Sequence, residues 1–438
     1  MKFIADLHIH SKYSRATSPN MVLEELDRWA DDKGILVMGT GDFTHPKWIK
    51  EIENKLKPAE PGLFKLKKEF KRKTLKNTFA ETRFILSVEI SSIYSKGGKC
   101  RRIHNLVFAP DIKTAEKINA QLGKIGNLKS DGRPILGLDS EKLAEIIFNI
   151  NPQAVIIPAH AWTPWFSIFG SMSGFDSIEE CFGKYAKNIF AIETGLSSDP
   201  SMNWRLSKLD NIALISNSDS HSAPKIGREA NIFDTELSYQ GIMKAIKSGT
   251  PINRQLTTNN QRQKFIATIE FFPEKGKYHY DGHRACNIFL SPKETKKYNN
   301  ICPKCGKKLT IGVMNRVNEL ADRRIKISSK ENFNKFNNFT PYYNLIPLGE
   351  IIAEAFNVGV NTKQVKKEYE NLIKTFGNEL KILLEINSNE LKSAANPRIA
   401  EAIKKVREGK IKIRPGYDGE YGKISIFNDK PLIYRSRR

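Results

Sequence analysis

Short apolar segments recur along the first 250 residues of the chain, and amphipathic segments separate several of them. An apolar run of four or five residues is typical of a strand buried on both faces, whereas the amphipathic segments have the 3.6-residue period of a helix. The predicted strands are Phe3–Leu7, Ile35–Met38, Phe84–Val88, Asn105–Phe108, Ala154–Pro158, Ile189–Ile192 and Ala213–Ser216. The predicted helices include Val22–Lys33, Thr114–Leu122, Glu141–Asn149 and Tyr239–Ser248. Strand followed by helix, repeated about seven times, predicts a closed or nearly closed parallel α/β barrel, although an open doubly wound sheet has the same periodicity.

The pattern changes along the chain and divides it into sections. Leu56–Ala80 is a polar, lysine-rich insertion that interrupts the alternation and is predicted to lie on the surface. Beyond Pro251 the chain contains several tyrosines, histidines and cysteines, and Val313–Lys330 is predicted to be a helix. Helical periodicity then extends over residues 342–406, and residues 409–431 are glycine-rich and strand-like. Because 438 residues are too many for one average domain, we predict three, with the bounds 1–250, 251–312 and 313–438.

Charge is the strongest feature of the composition. The chain has 71 Lys and Arg residues against 48 Asp and Glu residues, which gives a formal net charge of +23. Such an excess indicates a polyanionic partner, and nucleic acid is the leading candidate. The alternative is a surface of the kind that forms ion-pair networks in thermophile proteins, but those networks need acidic residues in similar number. With no apolar run of about 18 residues and no signal-peptide pattern, we expect a cytoplasmic, nucleoid-associated protein of a prokaryotic-type cell, without a membrane partner.

The first candidate metal ligands follow the first predicted strand, in the segment Asp6-Leu7-His8-Ile9-His10. Alternate residues of a strand point the same way, so His8 and His10 project together and can hold one metal ion. Asp6 is placed to orient one of the imidazoles from behind. Taken alone, the two histidines could equally be ordinary residues of a core or of a sheet edge.

Residues of the ligand type also follow the later predicted strands. They are Asp42, His45, Glu89, His104, His160, Glu193, Asp219 and His221. In an α/β barrel the carboxyl ends of the strands meet at one mouth, and unrelated core histidines would not occupy that position repeatedly. Mixed histidine and carboxylate ligands suit Zn²⁺ or Mn²⁺, with Mg²⁺ as a further candidate, and a carboxylate such as Glu89 can bridge two ions. The sequence therefore predicts a metal site at the mouth of the barrel.

These motifs resemble the polymerase and histidinol phosphatase (PHP) family over residues 1–250. The resemblance is carried by the segment from Asp6 to His10, by Glu89 at the end of a strand and by the closing Asp219-Ser220-His221. It implies a distorted barrel that binds up to three metal ions and hydrolyses phosphoesters.

The PHP resemblance also implies which residues share an ion. The first ion would be held by His8, His10, Glu89 and Asp219, and the second by Glu89, His104 and His160. A third would use His221 with Asp42 or His45. Phe43 stands where many members of the family have a histidine, which places this third ion in question.

Three of the five cysteines cluster near two histidines in the second half of the chain. His283-x2-Cys286, followed after fifteen residues by Cys302-Pro-Lys-Cys305-Gly, has the spacing of a structural zinc knuckle and not of a disulfide framework. His279 is a rival for the fourth ligand position. We therefore expect a Zn²⁺ ion that stabilises a small module with little core of its own.

Basic residues interleaved with aromatic ones follow this module, a pattern that can neutralise phosphates and stack on bases. The basic residues predicted to contact DNA are Arg316, Arg323 and Arg324, together with Lys67, Lys68, Lys71 and Arg72 of the insertion. Trp162 and Trp165 follow His160 closely, and large apolar side chains beside a metal site can cradle an extruded base. Each aromatic residue could instead belong to an ordinary core.

The chain as a whole resembles the endonuclease Q family. Besides the PHP motifs and the cysteine pairs, the resemblance rests on Thr40–Pro46, Asn396–Ile403 and Pro415–Gly422. It implies that the three predicted domains are a PHP metallophosphoesterase barrel, a zinc-binding module and a basic DNA-binding region. It also implies an enzyme that nicks DNA on the 5′ side of deaminated bases (uracil, hypoxanthine and xanthine) and of abasic sites.

The expected chemistry is hydrolysis of a phosphodiester by metal-activated water. Glu193 and Asp219 are the candidates that would assist the water, and single- or double-stranded DNA with damaged bases is the expected substrate. A small-molecule phosphoesterase with the same barrel is the first alternative, but it would have no use for the charge or the zinc module. The second alternative is a nucleic-acid binder that keeps the barrel only as a scaffold.

Overall fold

The computed structural model describes residues 1–256, 264–323 and 339–427, with the side chains of residues 254–256 excepted. The strands of the first 250 residues are β1 (Lys2–Asp6), β2 (Val37–Gly39), β3 (Leu56–Pro58), β4 (Phe64–Leu66), β5 (Arg83–Lys96), β6 (Lys99–Ala109), β7 (Ile135–Leu136), β8 (Val155–Pro158), β9 (Ala191–Glu193), β10 (Ala213–Ile215) and β11 (Ala230–Asp234). The later strands are β12 (Phe265–Glu270), β13 (Asp281–His283), β14 (Ile288–Leu290), β15 (Tyr342–Asn344), β16 (Lys412–Arg414) and β17 (Lys423–Ser425).

The helices lie mainly between strands in the first half of the chain and follow one another in the last quarter. Those of the first half are α1 (Leu23–Lys33), α2 (Pro46–Lys55), α3 (Ile112–Leu122), α4 (Ser140–Ile150), α5 (Ile178–Phe182), α6 (Pro200–Asn203), α7 (Tyr239–Ser248) and α8 (Pro251–Leu256). The later helices are α9 (Pro292–Lys297), α10 (Val313–Leu320), α11 (Leu348–Phe356), α12 (Lys363–Phe376), α13 (Glu379–Leu384), α14 (Ser388–Ala394) and α15 (Pro397–Arg407).

A mixed sheet of eleven strands forms the centre of the molecule. Its main path runs β15-β12-β11-β1-β2-β5-β4-β3, and β5 also leads through β6 to β8. The parallel pair β9 and β10 stands between β8 and β11, where the amide of Ala161 donates to the Glu193 carbonyl and the amide of Ser216 donates to Asn231 Oδ1. The strands therefore form a distorted, nearly closed barrel, which confirms the predicted fold class.

The expectation of an all-parallel barrel is wrong, because several strand pairs are antiparallel. The β1–β2 and β2–β5 pairs are parallel as expected. The long strands β5 and β6, however, form a hairpin whose two-residue turn is Gly97-Gly98, both with positive φ. Such a turn matches the twist of an antiparallel pair and reverses the chain without a helix. The pairs β6–β8 and β1–β11 are antiparallel as well.

The predicted helices of the first half are confirmed, and local signals explain where they begin. Asp111, Asp139 and Ser238 precede α3, α4 and α7, and each side chain accepts a hydrogen bond from an amide of the first helical turn. Such caps satisfy amides that have no partner within the helix. The buried faces of α1, α3 and α4 pack into one apolar core, and that of α7 packs into a second core with the alternate residues of the barrel strands.

The central sheet does not end at residue 250. Strand β12 pairs antiparallel to β11, and β15 pairs parallel to β12, so two strands from the second half extend the sheet. Helices α11 to α15 follow, as the helical periodicity of residues 342–406 predicts. The proposed domain bounds stay a prediction. Among the described residues, no helix has both the length and the hydropathy to cross a membrane.

Candidate active site

Two clusters of ligand-type side chains lie together at the mouth of the barrel. The first cluster is His8, His10, Glu89 and Asp219, and the second is Glu89, His104 and His160. Within each cluster, one potential ligand atom from every residue lies within 4.8 Å of the others. The structure thus brings together the two ligand sets that the PHP resemblance implies.

Glu89 joins the two clusters through different oxygens. Its Oε2 lies 3.3 Å from His10 Nε2 and 3.8 Å from His8 Nε2. Its Oε1 lies 2.6 Å from His104 Nδ1 and 2.9 Å from His160 Nε2. A carboxylate with one oxygen toward each pair of imidazoles has the geometry of a bridge between two ions.

Carboxylates behind the first cluster fix the orientation of its imidazoles. His8 Nδ1 lies 3.1 Å from both oxygens of Glu193, and His10 Nδ1 lies 3.2 Å from Asp42 Oδ1. Both Nε2 atoms consequently face Glu89 and Asp219. A carboxylate behind a metal-binding histidine is the usual means of setting its tautomer and ring direction.

The turns that carry the site have unusual backbone conformations. Asp42, His160 and Asp219 adopt φ angles of 50°, 28° and 46°, a region that residues with a side chain rarely enter. Gly195 packs against His160 so closely that a Cβ on the glycine would lie 2.5 Å from the histidine Cβ. Strained backbone at several points of one site indicates that the fold holds these side chains in place for function.

The electrostatics of the site favour bound cations. Burial by itself lowers the pKa of His8, but the carboxylates of Glu193 and Asp219 outweigh it and raise that pKa well above its usual value. Burial lowers the pKa of His104 to about 4, although Glu89 opposes the shift. Neutral imidazoles and ionised carboxylates are the forms that bind metal ions, which take the place of the protons.

The residues present fit a divalent metal centre. His8 Nε2 is buried and has no hydrogen-bond partner, although it points toward Glu89 and Asp219. An unpartnered buried nitrogen is costly unless it serves a purpose such as ligation. Each cluster combines two imidazoles with one or two carboxylates, and this donor set suits Zn²⁺, Mn²⁺ or a similar ion.

The predicted ligands of a third ion have other contacts in the structure, and this ion stays a prediction. Asp42 is committed to hydrogen bonds, because its Oδ2 accepts from the Ser11 amide at 2.6 Å and from the Ser14 hydroxyl at 2.9 Å. His45 caps helix α2 and stacks on Tyr13, with ring centroids 4.2 Å apart. His221 lies beside His10 but belongs to neither ligand cluster. The geometry therefore gives Asp42 and His45 positions that fit orientation and capping better than ligation.

Two acidic residues have different surroundings from those expected. Asp6 does not orient an imidazole, because it accepts hydrogen bonds from the amides of Ser218 and Gly227 and so ties down the loop that carries Asp219. Glu193, a predicted participant in catalysis, is fully buried, and both of its oxygens accept hydrogen bonds. This placement fits a residue that orients His8 better than one that receives a proton from water. Asp219 stays a candidate for that step.

The sequence interpretation missed Arg133, whose Nη1 lies 3.0 Å from Glu89 Oε2. Together with His104, this guanidinium holds the pKa of Glu89 well below its usual value against the effect of burial. Arg133 lies in the long connection between α3 and α4. Its neighbours Asp131 and Gly132 signal only a turn. No local pattern could have indicated that this loop reaches the site.

The predicted zinc ligands also come together. His283, Cys286, Cys302 and Cys305 form one cluster, with His283 Nδ1 3.4 Å from Cys305 Sγ. Burial raises the pKa of the Cys302 thiol, but hydrogen bonds from the backbone amides of residues 304 and 305 outweigh it and lower the pKa to about 6. The rival ligand His279 is buried outside this cluster. The donor set fits a closed tetrahedral Zn²⁺ site.

Replacement of Cys302 and Cys305 by Ser should lower both the zinc content and the thermal stability of the protein. Thiolate-bound Zn²⁺ contributes folding free energy directly, so about one zinc per chain should be lost. Metal analysis and a thermal melt measure the two effects. Cys100→Ser, which changes an exposed cysteine outside the cluster, is the matched control and should retain both. Unchanged zinc stoichiometry in the double variant would refute the assignment.

Two of the predicted DNA contacts, Trp162 in the barrel section and Arg316 in helix α10, are buried. Trp162 is fully buried and donates its indole N–H to Asn203 at 2.7 Å. Arg316 is also buried and donates to the carbonyl of Phe169 at 3.1 Å. These two placements do not fit direct contact with DNA, because Trp162 packs against Phe169 in the core and Arg316 joins helix α10 to the carbonyls of Phe169 and Phe175.

The predicted contacts Trp165, Arg323 and Arg324 have different surroundings. Trp165 is half-buried and lies edge-on to Tyr278, with ring centroids 5.5 Å apart. Arg323 pairs with Asp210. The predicted helix Val313–Lys330 ends at Leu320 in the structure, and Arg324 lies outside the described residues. Trp165 and Arg323 are both partly exposed, and their contact with DNA stays a prediction.

Most of the basic side chains predicted to contact DNA in the insertion have partners within the chain. Lys67 donates to the Asn54 carbonyl at 2.5 Å, Lys71 donates to the Ala80 carbonyl, and Arg72 pairs with Glu25. Lys68 is exposed. The prediction of a surface excursion holds only in part, because β3 and β4 of the insertion extend the central sheet and Leu63 and Leu66 are buried. The charge of Arg72 is partly neutralised by Glu25 of α1.

Comparison with known proteins extends the geometric description. Residues 347–410, the section of helices α11 to α15, match the family model of the MJ0043 C-terminal domain. The chain is 38% identical over 284 residues to the protein MJ0043 of Methanocaldococcus jannaschii, a match that covers 63% of this chain and 32% of that protein. It is 29% identical over 445 residues to YqxK of Bacillus subtilis, covering 97% of this chain and 99% of that protein. The chain thus spans about a third of the first relative and nearly all of the second.

Two crystal structures match over almost the full length. The lesion-specific endonuclease PfuEndoQ from Pyrococcus furiosus is 30% identical with a TM-score of 0.80, covering 99% of this chain and 98% of that one. A complex of endonuclease Q with a 27-mer duplex that has an abasic lesion at the active site is 31% identical with a TM-score of 0.80, covering 98% of both chains. The fold and the site define the class of this protein as a distorted α/β barrel with two clusters of potential metal ligands at its mouth. Within that class, the chain belongs to the endonuclease Q family.

Proposed function

We propose that this protein is a DNA repair endonuclease that hydrolyses the phosphodiester on the 5′ side of deaminated bases and abasic sites. The observation that carries the proposal is the bridging position of Glu89, whose two oxygens face separate pairs of histidines. Two closely spaced ions are a common arrangement for phosphodiester hydrolysis. The net charge of +23 and the likeness to a complex with an abasic duplex support DNA as the substrate.

The two ligand clusters would hold two divalent cations, with Glu89 shared between them. Zn²⁺ or Mn²⁺, or Mg²⁺ less readily with so many histidines, supplies Lewis acidity toward the phosphate and activates water. The protein's own contribution is orientation, since Glu193 fixes His8 and Asp42 fixes His10. Asp219, whose side chain is 27% exposed, is the carboxylate best placed to meet solvent and substrate.

Selectivity for damage would come from extrusion of the lesion nucleotide, which costs less where base pairing is already weakened. Trp165 and Phe166 are half-buried beside the second ligand cluster. The Phe166 ring lies 4.8 Å from the His104 ring, and the Arg102 guanidinium lies 5.6 Å from the centroid of the Phe166 ring. These aromatic side chains are the groups we expect nearest to an extruded base.

The proposal is tested with five substrates in parallel. Duplexes with one abasic site, one uracil, one hypoxanthine or no lesion, and a generic phosphomonoester, are incubated with the protein and Mn²⁺ or Zn²⁺. We expect nicks 5′ of each lesion, with 3′-hydroxyl and 5′-phosphate ends, and no cleavage of undamaged DNA. Hydrolysis of the phosphomonoester alone would favour the small-molecule alternative, and DNA binding without any cleavage would favour the scaffold alternative. Either outcome would contradict the proposal.

The affinity for DNA should depend steeply on salt. Contacts to about six to ten phosphates release enough counterions to lower the affinity by roughly 10³- to 10⁵-fold between about 50 and 200 mM salt. Fluorescence anisotropy with an abasic duplex at several salt concentrations measures the slope. An affinity independent of salt would be incompatible with a basic protein that binds the backbone.

The same titration tests the insertion. Each free phosphate contact contributes roughly 0.9 to the slope of log affinity against log salt concentration. Replacement of Lys67, Lys68, Lys71 and Arg72 by Ala should flatten this slope by less than that amount per residue, because three of the four side chains have partners in the chain. The preference for damaged DNA should be preserved, since phosphate contacts position a duplex without reading it. Loss of that preference with an unchanged slope would show that the DNA path is misplaced.

A further inference from the structure

Arg133 is the one guanidinium that contacts the bridging carboxylate in the described part of the chain. Its Nη1 lies 3.0 Å from Glu89 Oε2, the oxygen that also faces His10. The Arg133 side chain is 25% exposed, whereas Glu89 is fully buried. The guanidinium therefore stands between the buried ligands and the solvent from which a substrate would arrive.

The loop that carries Arg133 is fitted closely to the site. A Cβ on Gly132 would lie 2.3 Å from Asp42 Oδ2 and 2.5 Å from Ser14 Oγ, so only glycine allows the backbone to approach this far. The Gly132 amide donates to the Tyr13 carbonyl at 3.0 Å. The close fit of Gly132 against Asp42, the residue that orients His10, therefore fixes the position of the neighbouring Arg133.

A buried carboxylate secures the loop from its other side. Asp131, which is 3% exposed, accepts hydrogen bonds from the amides of Arg15 at 3.2 Å and Arg133 at 3.1 Å. The same carboxylate pairs with the Arg15 guanidinium, which is 71% exposed. Two arginines of unequal exposure therefore share one anchor at the mouth of the barrel.

The Arg133 guanidinium has more donors than its partners in the protein use. A guanidinium has five N–H groups in a planar fork, and the hydrogen bond to Glu89 uses one of them. Such a fork suits the paired oxygens of a phosphate, and the interaction strengthens where water is excluded. The positive charge of Arg133 interacts with the carboxylate of Glu89 and, more weakly, with that of Asp219.

We propose that Arg133 binds a non-bridging oxygen of the scissile phosphate through its free N–H groups and so holds the phosphate over the first ligand cluster. The proposal rests on the phosphodiester hydrolysis proposed above and adds a substrate-binding residue to it. The competing explanation is that Arg133 only positions Glu89 and never contacts the substrate.

Single-turnover cleavage of abasic duplexes distinguishes the two explanations. The scissile position carries a phosphate, an Rp phosphorothioate or an Sp phosphorothioate, and the enzymes are wild type, Arg133→Gln, Arg133→Lys and the matched Arg15→Gln. With the natural phosphate, Arg133→Gln should lower kcat/KM about 10- to 100-fold, the range for a lost charged hydrogen bond. Arg133→Lys should recover part of the loss, because it keeps the charge without the fork.

The decisive quantity is the ratio of the rates with phosphate and phosphorothioate. If Arg133 contacts one of the two oxygens, the sulfur effect of one diastereomer should shrink at least threefold in Arg133→Gln and stay unchanged in Arg15→Gln. Equal sulfur effects in wild type and Arg133→Gln, or a rate within about twofold of wild type, would overturn the proposal. Thermal melts of both variants show whether they fold. If the wild type itself leaves abasic duplexes intact, the proposed function fails, and this proposal fails with it.

Discussion

His8→Ala should reduce nicking of an abasic duplex by more than about 100-fold while leaving DNA affinity within a few-fold of wild type. The variant removes a ligand of the first cluster, and even changes behind a ligand typically cost about 10- to 100-fold. The basic surface is untouched, so binding should persist. Asp219→Ala should behave in the same way. Single-turnover cleavage and a gel-shift titration measure the two quantities separately.

A second histidine provides the control for this prediction. His45 lies outside both ligand clusters and caps helix α2, and Asn offers a side-chain oxygen that can replace the capping acceptor Nδ1 of the histidine. His45→Asn should therefore cleave within about tenfold of wild type. Cleavage by His8→Ala within tenfold of wild type would remove the first cluster from the catalytic account. A large loss in His45→Asn alone would move the metal site toward the turn after β2.

Glu379→Ala should destabilise the protein by about 3–5 kcal/mol, the typical cost of breaking a buried ion pair. Glu379 in helix α13 pairs with Lys33 at the end of helix α1, at an Oε2–Nζ distance of 2.6 Å, and both side chains are about 95% buried. Tyr369 also donates to Glu379 Oε2 at 2.8 Å. Removal of the carboxylate leaves a buried ammonium without a partner. Denaturant unfolding measures the change in free energy.

Two further variants make this prediction specific. Lys366→Ala breaks an exposed pair with Glu370 and should cost less than about 1 kcal/mol. The double variant Lys33→Met, Glu379→Gln should recover most of the stability, because the charges are removed together while an oxygen remains for Tyr369. A loss below about 1 kcal/mol in Glu379→Ala would show that α13 does not depend on this pair.

The elements that the sequence predicted well are those with local signals. The strand before His8 and the helix ending at Lys33 have their own hydrophobic periods, and the structure confirms both. The metal site at the mouth could be predicted because the strand ends of an α/β barrel converge, so residues that follow separate strands lie close together. The predicted zinc ligands could be identified equally well from the sequence, because the spacing of the two ligand pairs is typical of a zinc site.

The missed features depend on contacts between distant parts of the chain. Glu379 lies 346 residues from Lys33, and neither has a local pattern that predicts their pairing. Arg133 reaches Glu89 only because Gly132 fits against Asp42, a contact that no periodicity contains. The antiparallel hairpin β5–β6 is different, because Gly97-Gly98 between two strand-like runs was a readable turn signal.

The exposure of individual side chains was the least predictable property of the site. Trp162 and Trp165 lie three residues apart in a similar sequence context, yet one is fully buried and the other half-buried. Both tryptophans follow His160 closely in the sequence. Their environments differ because Trp162 bonds to Asn203 inside the barrel wall, whereas Trp165 faces Tyr278 of the second half.

The most direct test of the account is the position and chemistry of the cut at a single abasic site. A duplex labelled at both ends of the damaged strand is incubated with the protein and Mn²⁺, with a parallel reaction in EDTA. We predict one cut immediately 5′ of the abasic site, leaving a 3′-hydroxyl that a polymerase extends, and no cut in EDTA. A cut on the 3′ side that persists in EDTA would indicate β-elimination by an amine and would contradict metal-assisted hydrolysis at the Glu89 site.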